Sequence, residues 1–136
     1  MPKYNLTWQE ADAVLLDSLL LATGGESGAS LQDMLLMADA IDGTVFTLEE
    51  LEEGLEKLVS VGFVTIQKNK LSLTPEFLEK YEQITLQEGV TEDQKPLITL
   101  LEQQPLSGDK IEEIRVTVLK KYKLKNYYQQ YLEQFG

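Results

Sequence analysis

Residues 55–77 read Leu55-Glu56-Lys57-Leu58-Val59-Ser60-Val61-Gly62-Phe63-Val64-Thr65-Ile66-Gln67-Lys68-Asn69-Lys70-Leu71-Ser72-Leu73-Thr74-Pro75-Glu76-Phe77. The period of the apolar residues changes twice along this stretch. Leu55, Leu58 and Val59 recur at helical spacing, and Gly62 ends the run. Val64-Thr65-Ile66-Gln67 and Leu71-Ser72-Leu73 then alternate, as strands with one buried face do. Asn69, in the Lys68-Asn69-Lys70 link, tolerates the positive φ of a tight hairpin. Thr74-Pro75-Glu76 opens a new helix, with Thr74 as cap and Pro75 at the first helical position, where a missing N–H costs nothing. The stretch therefore predicts helix, two-stranded hairpin, helix.

Working outward, the residues before it predict three helices. Thr7-Trp8-Gln9-Glu10 reads as a capping box, followed by Ala11, Val14, Leu15, Leu19 and Ala22 at helical spacing, with Leu16, Leu20 and Leu21 widening the stripe. Thr23-Gly24-Gly25-Glu26-Ser27-Gly28 breaks this helix. A second opens at Ser30, buries Leu31, Met34, Leu35, Ala38 and Ile41, and stops at Asp42-Gly43. The third opens at Thr47 with a second capping box, Thr47-Leu48-Glu49-Glu50, and turns Leu48, Leu51, Leu55, Leu58 and Val59 inward. Gly54 sits inside it at a cost of about 1 kcal/mol relative to Ala, consistent with a close helix crossing.

After the hairpin, Phe77, Leu78, Tyr81 and Ile84 mark a fourth helix. A connector around Gly89 follows. Asp93 caps a short helix through Pro96, Leu97, Leu100 and Leu101 that Pro105 closes. Ser107-Gly108-Asp109 starts a longer helix with Ile111, Ile114, Val118, Leu119 and Tyr122 on one stripe. Asn126 to Phe135 carries Tyr127, Tyr128, Tyr131, Leu132 and Phe135 at three- and four-residue spacing. The expected core includes Val14, Leu15, Leu19, Leu35, Leu51, Leu55, Leu58, Phe63, Ile66 and Leu73.

The Leu-rich helix, Gly62, the short apolar strand, the hairpin and Leu73-Thr74-Pro75-Glu76 resemble the recognition helix, wing and following helix of winged-helix transcription regulators of the MarR and PadR type. The resemblance covers residues 7–84, and its specific part is 55–77. It implies an α+β fold, mostly α, with a winged helix-turn-helix core over 1–88 and a helical C-terminal extension over 89–136 that serves as a dimerisation or docking arm. It further implies that helix 47–61 is the recognition helix, which in this family enters the DNA major groove, and that 63–73 is the wing, which touches the minor groove or phosphates.

Composition narrows what such a domain can do. The 136 residues contain no Cys and no His, which removes disulfides, zinc fingers, Cys/His nucleophiles, the Ser-His-Asp triad and His-ligated metals. Gly24-Gly25-Glu26-Ser27-Gly28 lacks the Gly-Lys-Ser/Thr of a phosphate loop. Glu49, Glu50, Glu52 and Glu53 lie on one helix and form no cation cage. The expectation is no enzyme, no cofactor and no metal. No apolar run approaches the roughly 18 residues of a membrane span, and the N-terminus lacks a signal-peptide pattern, so the expected setting is the cytoplasm, away from membranes.

The net charge of −11 is unevenly placed. Residues 1–91 hold five Lys against sixteen Asp and Glu, whereas residues 92–136 balance seven cations with seven acids. On the third helix, Glu49, Glu52, Glu53, Glu56 and Ser60 fall opposite the apolar stripe, where a DNA reader presents cations and polar groups to base edges and phosphates. Lys57 on the flank, with Lys68 and Lys70 on the wing, does not balance four carboxylates. Cations gather instead at Lys110, Arg115, Lys120, Lys121, Lys123 and Lys125, and tyrosines follow them.

This pattern predicts a non-enzymatic interaction module that works through protein contacts and self-association as a homodimer. Its expected partner-binding residues are Glu49, Glu52, Glu53, Glu56, Lys120, Lys121, Lys123, Tyr127 and Tyr131. The alternative is a dimeric DNA-binding regulator using Lys68, Lys70, Arg115, Lys120, Lys121, Lys123 and Lys125; the acidic helix disfavours it. The C-terminal arm, in either case, could lie on its own domain or on a second copy.

Overall fold

A computed structural model describes residues 7–24, 28–43, 46–67, 70–88 and 95–135. Over the described residues the fold is α+β and mostly α, about 74% helical with one small antiparallel sheet. The first half runs α1 (Glu10–Thr23), α2 (Leu31–Asp42), α3 (Leu48–Ser60), β1 (Val64–Gln67), β2 (Lys70–Leu73) and α4 (Pro75–Glu88). The second half runs α5 (Lys95–Glu102), α6 (Gly108–Ile114), a π-helical turn (Arg115–Leu119), α7 (Lys120–Tyr122) and α8 (Leu124–Phe135).

Local chemistry sets most of these boundaries. Ser30 Oγ accepts from the Asp33 amide at 3.1 Å and starts α2. Thr47 and Glu50 form the expected reciprocal cap of α3, at 3.1 and 2.9 Å. Thr74 does three things at once: its hydroxyl accepts from the Phe77 amide at 3.1 Å and donates to the Gly62 carbonyl at 2.6 Å, and its amide donates to the Phe63 carbonyl at 3.0 Å. The start of α4 is thereby locked to the end of α3. Gly62 adopts φ +81°, a conformation glycine reaches without a Cβ clash.

The first helix departs from expectation. It begins at Glu10, and its cap is Gln9, whose amide donates to Asp12 Oδ2 at 2.9 Å. Thr7 lies outside the helix because its carbonyl accepts from Lys57 Nζ at 2.9 Å. A tertiary contact therefore wins over the local capping box.

The β1–β2 hairpin pairs Val64 with Leu73 and Ile66 with Leu71. The bend itself, including Lys68 and Asn69, lies outside the described residues. A third extended residue joins the hairpin. Ala29, just before α2, exchanges two 2.8 Å backbone hydrogen bonds with Leu71.

One apolar cluster runs through the described residues. Leu15, Leu16, Leu19, Met34, Leu51, Leu55, Leu58, Phe63 and Phe77 are fully buried in it, and Leu97, Leu100, Leu101, Leu119, Tyr122, Leu124 and Tyr131 join the same cluster. The C-terminal helices thus pack on their own chain: α5 on α1 and α4, α6 and the π turn on α3, and α8 on α2 and α3. Of the expected core, Ile66 and Leu73 are only half-buried, while their cross-strand partners Leu71 and Val64 are fully buried. Phe46, in the loop before α3, is 1% exposed, and Tyr128 Oη donates to its carbonyl at 2.6 Å.

The single long helix expected after Ser107 is interrupted. Residues 115–119 form a π turn, and Lys123 takes a left-handed conformation (φ +59°) that ends α7 and re-aims α8. On an unbroken α-helix, Leu119 would sit about 80° off the line of Ile111. The wider π turn accompanies its burial.

Candidate functional site

The outer side of α3, which carries the expected partner-binding residues Glu49, Glu52, Glu53 and Glu56, is largely covered by the chain's own C-terminal helices. Glu49 is exposed, and Glu52 and Glu53 are half-buried. Glu56 is 3% exposed, and Arg115 Nε donates to its Oε1 at 2.5 Å. Glu56 is buried because the π turn and α6 lie across this side of α3 and bring a cation with them. Burial pushes the Glu56 carboxyl above its ordinary range, and the hydrogen bond and charge of Arg115 pull it part of the way back.

The neighbouring residue, Lys57, turns the other way into the body of the protein, where it is 1% exposed. Its Nζ donates to Asp12 Oδ2 at 2.6 Å and stands 5.6 Å from the ring centre of Trp8. Trp8 Nε1 in turn donates to the Gln104 carbonyl at 3.0 Å. Burial raises the Asp12 carboxyl, opposed by Lys57 and the Gln9 amide. Consecutive residues of α3 thus form two separate ion pairs, one tying it to α1 and one to the C-terminal helices. Neither pairing was visible in the sequence. The only signal was an acid and a base adjacent on a helix whose other residues crowd the core.

Gly54 marks the crossing that makes the first pair reachable. A Cβ built there meets Asp12 Oδ1 at 3.1 Å and Leu15 Cδ1 at 3.2 Å. The expectation of a close helix approach at Gly54 is met by α1.

The aromatic residues of the tail face inward. Tyr131 is buried, and Tyr127 and Tyr128 are half-buried. The Tyr122 and Tyr127 rings pack at 5.2 Å. The Tyr122 hydroxyl is buried without a hydrogen-bond partner among the described residues, and burial raises its phenol far above the ordinary value. Tyr127 and Tyr131, expected at a partner surface, are therefore bound up in this chain's own packing.

The cations behave differently. Lys120, Lys123 and Lys125 are exposed and converge on the rim of a groove of about 430 Å³. Val116, Leu119 and Leu124 are among the residues that line it, with Glu52, Glu56 and Arg115. The Lys121 side chain and all of Lys68 lie outside the described residues, and Lys70 is exposed on β2. Among the described residues, no group of three carboxylates could hold a metal ion, and no helix is long and apolar enough to cross a membrane.

Comparison with protein-family models, with curated proteins and with solved structures returns no match for this chain.

Proposed function

We propose that this chain is a non-enzymatic protein-interaction module: a winged-helix-like core that has given up major-groove reading and associates with a second copy of itself. One observation carries the proposal. A helix that reads DNA must offer base edges a solvent-facing row of side chains. Of the 13 residues of α3, Glu49 alone is exposed, and the helices of residues 108–135 lie across the side a duplex would approach. The element order α1, α2, α3, hairpin, α4, with Ala29 bridged to the hairpin, supports the winged-helix core.

The second reading is a dimeric DNA-binding regulator. The observation favouring it is the joint exposure of Lys120, Lys123 and Lys125.

Duplex retardation at low salt separates the two. The module reading expects no shifted band. A shift whose log affinity falls steeply with log salt overturns it in favour of DNA binding. Light scattering checks the self-association: the expected mass is a dimer's, and a strict monomer at high concentration removes that part of the proposal.

A further inference from the structure

Two exposed surfaces of this chain complement one another. The first is the groove between α3 and the C-terminal helices, with an apolar floor at Val116, Leu119 and Leu124 and a rim of Lys120, Lys123 and Lys125. Val116 is 55% exposed. Among the described residues, no carboxylate pairs with the three rim lysines, while Glu56 at the back of the groove is held by Arg115. With Glu52 on its α3 side and three unpaired lysines on the opposite rim, the apolar floor suits an acidic segment with an apolar tip whose carboxylates face the lysines.

The second surface is the outer face of α4. Glu76, Glu79, Glu82, Gln83 and Leu86 fall within an arc of about 120°, and every one of them is exposed. Phe77, Tyr81 and Ile84 take the opposite, inward side. Leu86 is 79% exposed, the most exposed large apolar side chain among the described residues. A leucine held in water between carboxylates gains nothing within its own chain.

We propose that α4 of one copy docks in the groove of a second copy, with Leu86 on the floor at Val116 and Leu119 and with Glu79 and Glu82 facing the lysine rim. This rests on the self-association reading above and names the surfaces that meet. Within a chain, α4 is carried on α5 and the groove on α3, so each copy offers one of each. Reciprocal docking closes a pair with two equivalent contacts, and one-way docking would extend a row of copies. Two chains of charge −11 repel at long range. At physiological salt that repulsion is screened beyond about 8 Å, whereas charges in contact are screened much less.

Charge reversal in the full chain tests this, read as mass by sedimentation equilibrium, with circular dichroism confirming that each variant folds. The variants are E79K/E82K and K120E/K123E/K125E, all at exposed positions. Each alone sets like charges against like and is expected to weaken association at least roughly ten-fold. An equimolar mixture of the two is expected to recover the wild-type mass, because each groove then faces a helix of opposite sign. Leu86→Asp is expected to weaken association and not to be recovered by mixing. Variants that associate like the wild type overturn this contact while leaving self-association standing. A monomeric wild type overturns both. A monomeric wild type that binds an acidic, leucine-containing peptide assigns the groove to a foreign segment and likewise overturns the second-copy occupant.

Discussion

Lys57 Nζ donates a 2.6 Å hydrogen bond to Asp12 Oδ2, and the two side chains expose 1% and 3% of their surface. The contact fixes α1 against α3 beneath Trp8. Removing one member of such a pair strands a charge in a dry site, which typically costs about 3–5 kcal/mol, whereas replacing both with apolar groups is often close to neutral. Lys57→Met is therefore expected to lose stability in that range. Asp12→Leu combined with Lys57→Met is expected to recover most of the loss, short of the roughly 1 kcal/mol contributed by the Asp12 cap. Urea unfolding followed through Trp8, the single tryptophan, measures both.

The same carboxylates give stability a pH dependence of definite sign. Asp12 and Glu56 are both raised above their ordinary values of 3.8 and 4.5, in each case mainly by burial. The folded state then holds these protons more tightly than the unfolded one. Their contribution is fully present below the ordinary values and is lost as pH rises through the higher folded-state values. Glu56→Gln removes one such proton equilibrium. The stability of the wild type minus that of Glu56→Gln is expected to fall with rising pH across this window, and a difference that rises instead contradicts the assignment.

Gly54→Ala pits helix propensity against packing. Alanine gains about 1 kcal/mol in a helix interior. Its methyl would press on Leu15, which is fully buried, and on Asp12, which Lys57 and the Gln9 amide hold in place. Overpacking of this kind costs about 1–3 kcal/mol, so a net loss of about 1 kcal/mol is expected in denaturant titration.

Tyr122→Phe should act in the opposite direction. The buried hydroxyl finds no partner among the described residues, and an unsatisfied polar group costs about 1–3 kcal/mol. Its removal leaves the ring against Tyr127 and is expected to raise stability by about 1 kcal/mol, read as a higher thermal midpoint.

Much of the architecture was legible because it is local. Ser30, Thr47 and Thr74 cap the helices that their positions announce, and the change from helical to alternating period at Gly62 places the hairpin. The start of α1 was misread because nothing in Thr7-Trp8-Gln9-Glu10 reveals that the Thr7 carbonyl is taken by a lysine fifty residues away. The candidate site was less legible for a related reason. Periodicity separates an inward side of α3 from an outward one, but it cannot tell that a second layer, delivered by Arg115 and the π turn, will cover the outward side. Periodicity alone therefore sets Glu56, Tyr127 and Tyr131 at a partner surface. Lys120, Lys123 and Lys125, on the basic stretch 110–125, are exposed, as long charged side chains without a buried partner usually are.

The pairing of Ala29 with Leu71 bears on how the chain is made. Synthesis releases α1 and α2 before the strand that Ala29 needs, so the hydrogen-bonding groups of Ala29 stay open to water until the hairpin emerges behind them. Shortened versions ending before residue 70 would therefore leave an unpaired β edge, and such an edge invites wrong partners. Expression of the N-terminal helices should accordingly include the hairpin through Leu73.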